Sequence, residues 1–480
     1  MKLSSNGRRR LGLYGGAAVF AGLALWGAPA LVSRLVAPLS FRRMNLEADA
    51  AMETEAVKLL VEYVRIDTTN PPAITRPAID FLARFFACEG IPATITGDDP
   101  ERPILVARIR GRSRDGALAL LNHADVVPAG DPGGWTDPPF AASRGTSFDR
   151  THLVGRGTLD MKGQTIANLL GMASLTRAGL VPLRDIVFVV ESGEETFRED
   201  LGMGWLFDHR PDLLAGVTDV FNEGGVNEVK TQHVERFGIE TMQKAIISVD
   251  VLSPDAKPLE EFREFLKARD QEQSVRVVPA VREFLKFIAP SRSDIWGRYM
   301  MDGAEKLVPQ AEFWKFVPES YRSLLKDSIY TGGVEKTAEG HSLRVVRTLL
   351  PGSLVASSRA ELEGWVRDRG FGLHVVLETR DCVSSPTEGN AYRAVANVFG
   401  LDPDSAPVGP YILNGQATSS VAIRARGLRA YGVSPFAVNI YDAATIHHKN
   451  ERISLPFFVD GIERMRRILL EFATAPEEAD

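Results

Sequence analysis

Short, unbroken apolar runs alternate along this chain with longer stretches whose apolar residues recur every three to four positions. The clearest run is Ile186-Val187-Phe188-Val189-Val190, which has no polar face and predicts a strand buried on both sides. It falls within the stretch 185–192, and similar runs at 104–109, 117–121 and 217–221 predict further strands. Residues 46–64 and 164–178 predict helices, and Thr75 with Pro77 opens another that Gly90 ends. Strands alternating with helices in this way predict an α/β chain, a mostly parallel sheet with helices on both faces.

The texture changes after about residue 237. Residues 245–252 alternate as a half-buried strand does, and 258–330 are charged and largely helical. Strands are predicted at 343–349 and 373–378, with a helix at 357–369 between them. The first pattern then resumes, with a helix at 391–399 and a strand at 429–433. A last helix is opened by Ser454 and Pro456 and puts Ile462, Met465, Leu469 and Phe472 on one face. The expected organisation is a catalytic domain in two parts, 44–236 and 384–480, with an inserted α/β lid domain at 237–383.

Residues 1–43 stand apart. Arg8-Arg9-Arg10 precede an uncharged stretch from Leu11 to Ser33, long enough to span ~30 Å of hydrocarbon as a helix. A membrane anchor with a cytoplasmic N-terminus is expected, because the apolar run exceeds a usual signal core. Ala28-Pro29-Ala30 also offers a signal-peptidase site, which would release a secreted or periplasmic protein. Either version puts the body outside the cytoplasm.

With 480 residues the chain is too long for one ordinary core. Its net charge of −6 speaks against a nucleic-acid partner. Cys88 and Cys382 are the only cysteines, too few for a disulfide framework or a cysteine zinc site.

Candidate chemistry sits in the loops after the apolar runs. His123 and Asp125 are two apart and share a face if the strand continues. Asp160, Glu194, Glu195, Glu223 and His447 follow in similar loops. Two imidazoles and three carboxylates suit a pair of divalent ions such as zinc, with one carboxylate bridging. The remaining carboxylate can take a proton from water activated by the ions. Neighbouring side chains diverge, so Glu194 and Glu195 can divide these roles.

Taken in order, His123-Ala124-Asp125-Val126-Val127-Pro128, the run from Gly155 to Gly163, Gly193-Glu194-Glu195, Asn222-Glu223-Gly224-Gly225 and the run from Ile446 to Glu451 carry a resemblance. The chain resembles the di-zinc metallopeptidases that include carboxypeptidase S, aminoacylase, glutamate carboxypeptidase and succinyl-diaminopimelate desuccinylase, closest to the carboxypeptidase S-like branch. The resemblance implies that His123 and Glu223 bind one zinc, Glu195 and His447 the other, and that Asp160 bridges. It also implies that Asp125 orients His123 and that Glu194 is the general base. Cobalt or manganese could serve in place of zinc. The implied substrate is a peptide or an N-acyl amino acid, cut at an amide bond next to a free carboxylate, and the lid leaves room for an oligomer.

Three departures fall on the substrate side. The segment Leu252 to Pro258 lacks the His of the resembling lids, 416–420 lack an Asp, and the turn at Pro351-Gly352 lacks its preceding Asn. Arg347 and Lys257 are candidate holders of the substrate carboxylate. The alternative is a metal-retaining binding or scaffold protein with impaired catalysis.

Overall fold

The computed structural model describes residues 47–145, 151–230, 233–291, 322–414 and 416–475. Among them, ten strands form one sheet. Its centre is parallel: Ser113–His123 pairs with Arg184–Glu191 on one side and with Val217–Asn222 on the other, and Val217–Asn222 pairs with Arg429–Gly432. The margins are mixed. Ile104–Ile109 runs antiparallel to Arg184–Glu191, and His233–Gln243 meets Arg429–Gly432 antiparallel. The expected parallel sheet is therefore its core.

Alternation along the central strands explains their two-sided burial. Leu118, Leu120, Ile186, Phe188 and Val190 point into a core shared with the helices Glu55–Val64, Arg76–Cys88, Gly163–Arg177, Asn390–Phe399 and Leu455–Thr474. Ala117, Ala119, Leu121, Val187 and Val189 point the other way, towards Met203–His209 and Ser420–Ala425. Each fully buried Val, Leu, Ile or Phe side chain among these contributes ~1.5–3 kcal/mol. Gly171 lets two helices approach: a Cβ there would lie 2.9 Å from Leu469 Cδ1 and 3.1 Å from Met465 Cγ.

A second, antiparallel sheet has the order Ser328–Thr337, Gly340–Leu349, Ala245–Ser253, Gly372–Glu378. The helices Ala256–Gln271 and Val355–Arg367 pack on it, and Pro279–Ile288 packs against Val408–Leu413 of the large sheet, Phe284 on Tyr411. The strand His233–Gln243 runs past residue 237 and stays in the large sheet, so the second sheet begins after Lys244. Where the two bodies meet, Ile246, Val346 and Leu377 of the small sheet pack on Ala417 and Val421.

Sequence patterning missed the hairpin Val226–Lys230/His233–Gln243 and the strand Val408–Leu413. Among the described residues no helix is long and apolar enough to cross a membrane. The expected anchor or signal at 1–43 lies outside them.

Candidate metal centre

The parallel strands deliver their C-terminal ends to one edge of the sheet, where ligands of α/β proteins sit. His123 ends one strand, Asn222 ends the next and hands on Glu223, and Glu191 ends a third, three residues before Glu194. His123 Nδ1 donates to the main-chain oxygen of Asp125 at 2.9 Å. That bond turns Nε2 towards Asp160 Oδ1 at 3.2 Å and Glu223 Oε2 at 3.6 Å.

Asp125 therefore orients His123 through its backbone. Its carboxylate lies 3.8 Å from Nδ1 and does something else. It accepts from Asn70 Nδ2 at 2.7 Å, from Glu195 N at 3.1 Å and from Glu194 N at 3.3 Å. The strand stops at His123, so the two side chains do not act as one face. The carboxylate instead anchors the single turn Glu194–Thr196.

Asp160 lies in the loop after Gly157, whose φ of 84° places it in the left-handed region. Buried Glu451 gathers this loop. Its Oε1 accepts from Leu159 N at 2.9 Å and Asp160 N at 3.1 Å, and its Oε2 from Gly157 N at 3.1 Å and Arg156 Nη1 at 2.6 Å. Held this way, Asp160 turns Oδ1 to His123 and Oδ2 to His447 Nε2, the latter at 2.9 Å. His447 Nε2 also lies 3.3 Å from Glu195 Oε2. Ligand atoms of His123, Glu194 and Glu223 converge within 4.8 Å of one another, as do those of His123, Asp160 and Glu195.

The cage is over-supplied with negative charge. Burial and the Asp160 carboxylate push Glu223 up to about 8. Burial and the Glu223 carboxylate push Glu194 well above the usual range. Hydrogen bonds to Asp160 and Glu195 raise His447 to about 10. Burial opposes a charged His123, but Glu223 and Asp160 outweigh it and hold its pKa well up. Lys162 brings no relief, because its ammonium turns away to Tyr63 O and Ile66 O. Among the described residues, the ion pairs of Asp160, Glu195 and Glu223 are with the two imidazoles. Nitrogen and oxygen donors in this number, short of positive charge, fit divalent cations of the zinc type.

Sequence reasoning gave Glu451, Arg156 and Asn70 no role. Glu451 could have been found as the last residue of the motif that contains His447. Two candidate carboxylate holders fall outside the centre. Arg347 is buried in the lid, donating to Glu361 at 2.7 Å and Ser358 O at 2.9 Å beside the Trp365 ring. Lys257 is exposed on the first turn of Ala256–Gln271. The altered segment at 416–420 also has an explanation: Asn222 Nδ2 donates to Thr418 Oγ1 at 3.1 Å and Ser420 Oγ at 3.0 Å, so hydroxyls face an amide.

Comparison with known proteins adds independent findings. The profile of Peptidase family M20/M25/M40 matches residues 119–471. A probable succinyl-diaminopimelate desuccinylase of Staphylococcus epidermidis is 27% identical over 297 residues, 57% of this chain and 71% of the relative. A Beta-Ala-Xaa dipeptidase of Lactobacillus delbrueckii subsp. lactis is 30% identical over 180 residues, 35% of each chain. Among solved structures, the M20 family metallo-carboxypeptidase Sso-CP2 from Sulfolobus solfataricus superposes with a TM-score of 0.68 at 16% identity, covering 88% of this chain and 100% of that one. The di-peptidase Dug1p from Saccharomyces cerevisiae gives 0.65 at 14% identity, covering 91% and 99%. At these identities the two structures speak for the fold.

Proposed function

The chain belongs to peptidase family M20/M25/M40, metal-dependent hydrolases of peptide and amide bonds, and from that premise we propose that it cuts an amide bond next to a free carboxylate. The substrate is a C-terminal peptide bond or an N-acyl amino acid. The observation that carries this reading is Asp160, whose two oxygens face two different imidazoles 3.2 and 2.9 Å away. A carboxylate so placed suits a bridge between two ions, zinc first, with His123 and Glu223 on one side and Glu195 and His447 on the other.

Two such ions would lower the pKa of a water and polarise the scissile carbonyl. The chain's own residues do the rest. Glu194, buried and adjacent to but divergent from Glu195, is the base that takes the proton and returns it to the leaving nitrogen. Asp125 fixes that base by accepting the main-chain N–H of Glu194 itself. The exposed edge of His447 leaves the cage open on one side for substrate, whereas a purely structural metal site would be closed.

The test is an assay of the zinc-loaded protein against peptides and N-acyl amino acids, with metal analysis. Turnover with two ions per chain is expected, and Glu194→Gln should lower it ~10²–10⁴-fold at near wild-type metal content. Two bound ions with no turnover on any substrate would favour the second reading, a metal-retaining binding protein. The lack of a histidine in the segment Leu252 to Pro258 at the start of the lid supports that alternative.

A further inference from the structure

We propose that Asp442 is the positioning residue for His447, and that it thereby sets the affinity of the chain for one of its two ions; this rests on the two-ion reading above. The other four ligands have firm supports. His123 ends a central strand and Glu223 follows another, while Glu195 stands on the turn that Asp125 holds and Asp160 on the loop that Glu451 gathers. His447 comes from a loop, and its side chain is 46% exposed. Among the described residues from Val438 to Asn450, Asp442 alone is buried. Its bulky apolar neighbours Ile440 and Tyr441 are 70% and 77% exposed. Apolar burial therefore does little to hold this loop, and bonds to one buried carboxylate take its place.

Three donors converge on that carboxylate. Oδ1 accepts from Arg452 Nε at 2.6 Å, and Oδ2 accepts from Asn439 Nδ2 at 2.6 Å and from His152 Nε2 at 3.0 Å. Arg452 and His152 lie on one face of the antiparallel ladder that Arg452–Ser454 makes with His152–Val154. Glu451, the residue before Arg452, gathers the Asp160 loop. Consecutive residues thus support two groups that would face the same ion. From Asp442 the hold passes along the main chain. Its carbonyl oxygen accepts from Thr445 N at 2.9 Å and Thr445 Oγ1 at 2.6 Å, and Thr445 O accepts from His448 N at 2.9 Å. His447 lies within these turns at a φ of 61°, a conformation uncommon outside glycine and kept where the surroundings over-determine it. Past His447, Asn450 Oδ1 accepts from Thr136 N at 2.8 Å and Thr136 Oγ1 at 2.7 Å, so the loop is tied on both sides. The main chain from which His447 reaches Asp160 and Glu195 is fixed in this way. An amide in place of the carboxylate would lose the charge and set a donor against a donor whichever way it turned.

The test competes the zinc-loaded, full-length protein with graded concentrations of a chelator and counts the zinc left on each chain. Wild type should lose its ions in two steps, and His447→Ala marks the step that belongs to His447. Asp442→Asn should weaken that step ~10–100-fold and leave the other in place. Thr445→Val leaves every buried charge intact and should weaken the same step ~2–10-fold. Asp402→Asn is the control for a loosened fold. It breaks a similarly buried pair, with Arg464 of the last helix at 2.8 Å, and should move neither step. Both steps moving together in Asp442→Asn overturns the proposal, because a general loss of stability would do the same. So do two steps that stay in place in Asp442→Asn and Thr445→Val. Should Asp442→Asn fail to fold, Thr445→Val decides alone, by a shift of the His447 step or by none. Fewer than two ions on wild type would sink the two-ion reading and this assignment with it, whereas two ions with unmoved steps sinks the assignment alone.

Discussion

Glu451 offers the sharpest test of how this centre is built. Its carboxylate is fully buried and accepts four donors, two on each oxygen. Glu451→Gln keeps the shape and turns one oxygen into a donor. Whichever way the amide lies, two donors then face another donor. If it turns towards the Asp160 loop, the N–H groups of Leu159 and Asp160 are orphaned, at ~1–3 kcal/mol each. If it turns the other way, Gly157 N is orphaned and Arg156 loses a partner at 2.6 Å. Breaking one side of a buried pair costs ~3–5 kcal/mol. The first route predicts a loss of about 2–6 kcal/mol and the second about 4–8 kcal/mol, either one a large part of the ~5–15 kcal/mol a protein has.

The same change frees Asp160, so zinc affinity should fall ~10–100-fold, as it does when outer partners of a ligand are removed. Urea unfolding of the metal-free protein measures the first effect and a chelator competition the second. Arg156→Leu added to Glu451→Leu separates two contributions. The pair's cost drops out, the orphaned main-chain N–H groups remain, and the double variant should be more stable than Glu451→Leu but below wild type. A loss under ~1 kcal/mol with unchanged zinc affinity would refute the reasoning, because four bonds to a buried carboxylate cannot be that cheap to lose.

Other outcomes are expected. Asp160→Ala should release both ions, whereas His123→Ala should mainly weaken one; metal analysis after desalting checks this, and a fully loaded Asp160→Ala protein contradicts the bridge. Burial pushes Lys244 down to about 7, although it donates to Ser323 O and Lys326 O. The unfolded chain keeps this amine protonated up to about 10.5 and so binds more protons, which makes stability rise with pH between about 7 and 10.5. Lys244→Met should flatten that rise by a few kcal/mol, order of magnitude, in urea titrations across the range. We propose that the stretch from Leu11 to Ser33 tethers the body outside the cytoplasm; the protein should then leave membranes with detergent and not with salt, and a soluble form beginning near Leu31 would establish cleavage instead.

What could be read from the sequence follows from which interactions are local. Arg184–Glu191 was legible because it is buried along its whole length and its residues Ile186 to Val190 are all apolar. The hairpin from Val226 to Gln243 was not, because Asn227, Glu228, Glu235 and Arg236 interrupt its pattern at the sheet margin. Its pairing depends on partners distant in sequence, such as Val408–Leu413. The residues of the cage stood out because each ends an apolar run or opens the loop after one. Glu451 did not, because a carboxylate beside Lys449 and Asn450 looks like solvated surface until the fold brings Arg156 to it across 295 positions. Arg347 erred in the opposite sense: a lone arginine before a turn looked available, and the fold spends it on Glu361.

Asp125 shows why the centre works as one unit. Two-residue spacing assigns its carboxylate to His123, but the strand ends there and the chain turns. The imidazole is held by a backbone oxygen, which leaves the carboxylate to take the main-chain N–H groups of Glu194 and Glu195. These consecutive acids diverge, Glu194 towards His123 and Glu223, Glu195 towards His447. One residue therefore sets the imidazole on one side of the cage and, through a single turn, a carboxylate on each side. That turn fixes the main chain from which both glutamates reach the cage. Asn70 adds a donor to the same carboxylate from the loop between the helices Glu55–Val64 and Arg76–Cys88, so the anchor is itself anchored. A metal-binding cage needs only that its donors converge. In the proposed reaction the base must also be kept at a defined distance, and Asp125, bound to the main chain of Glu194 and holding His123 through its own backbone oxygen, would supply that link.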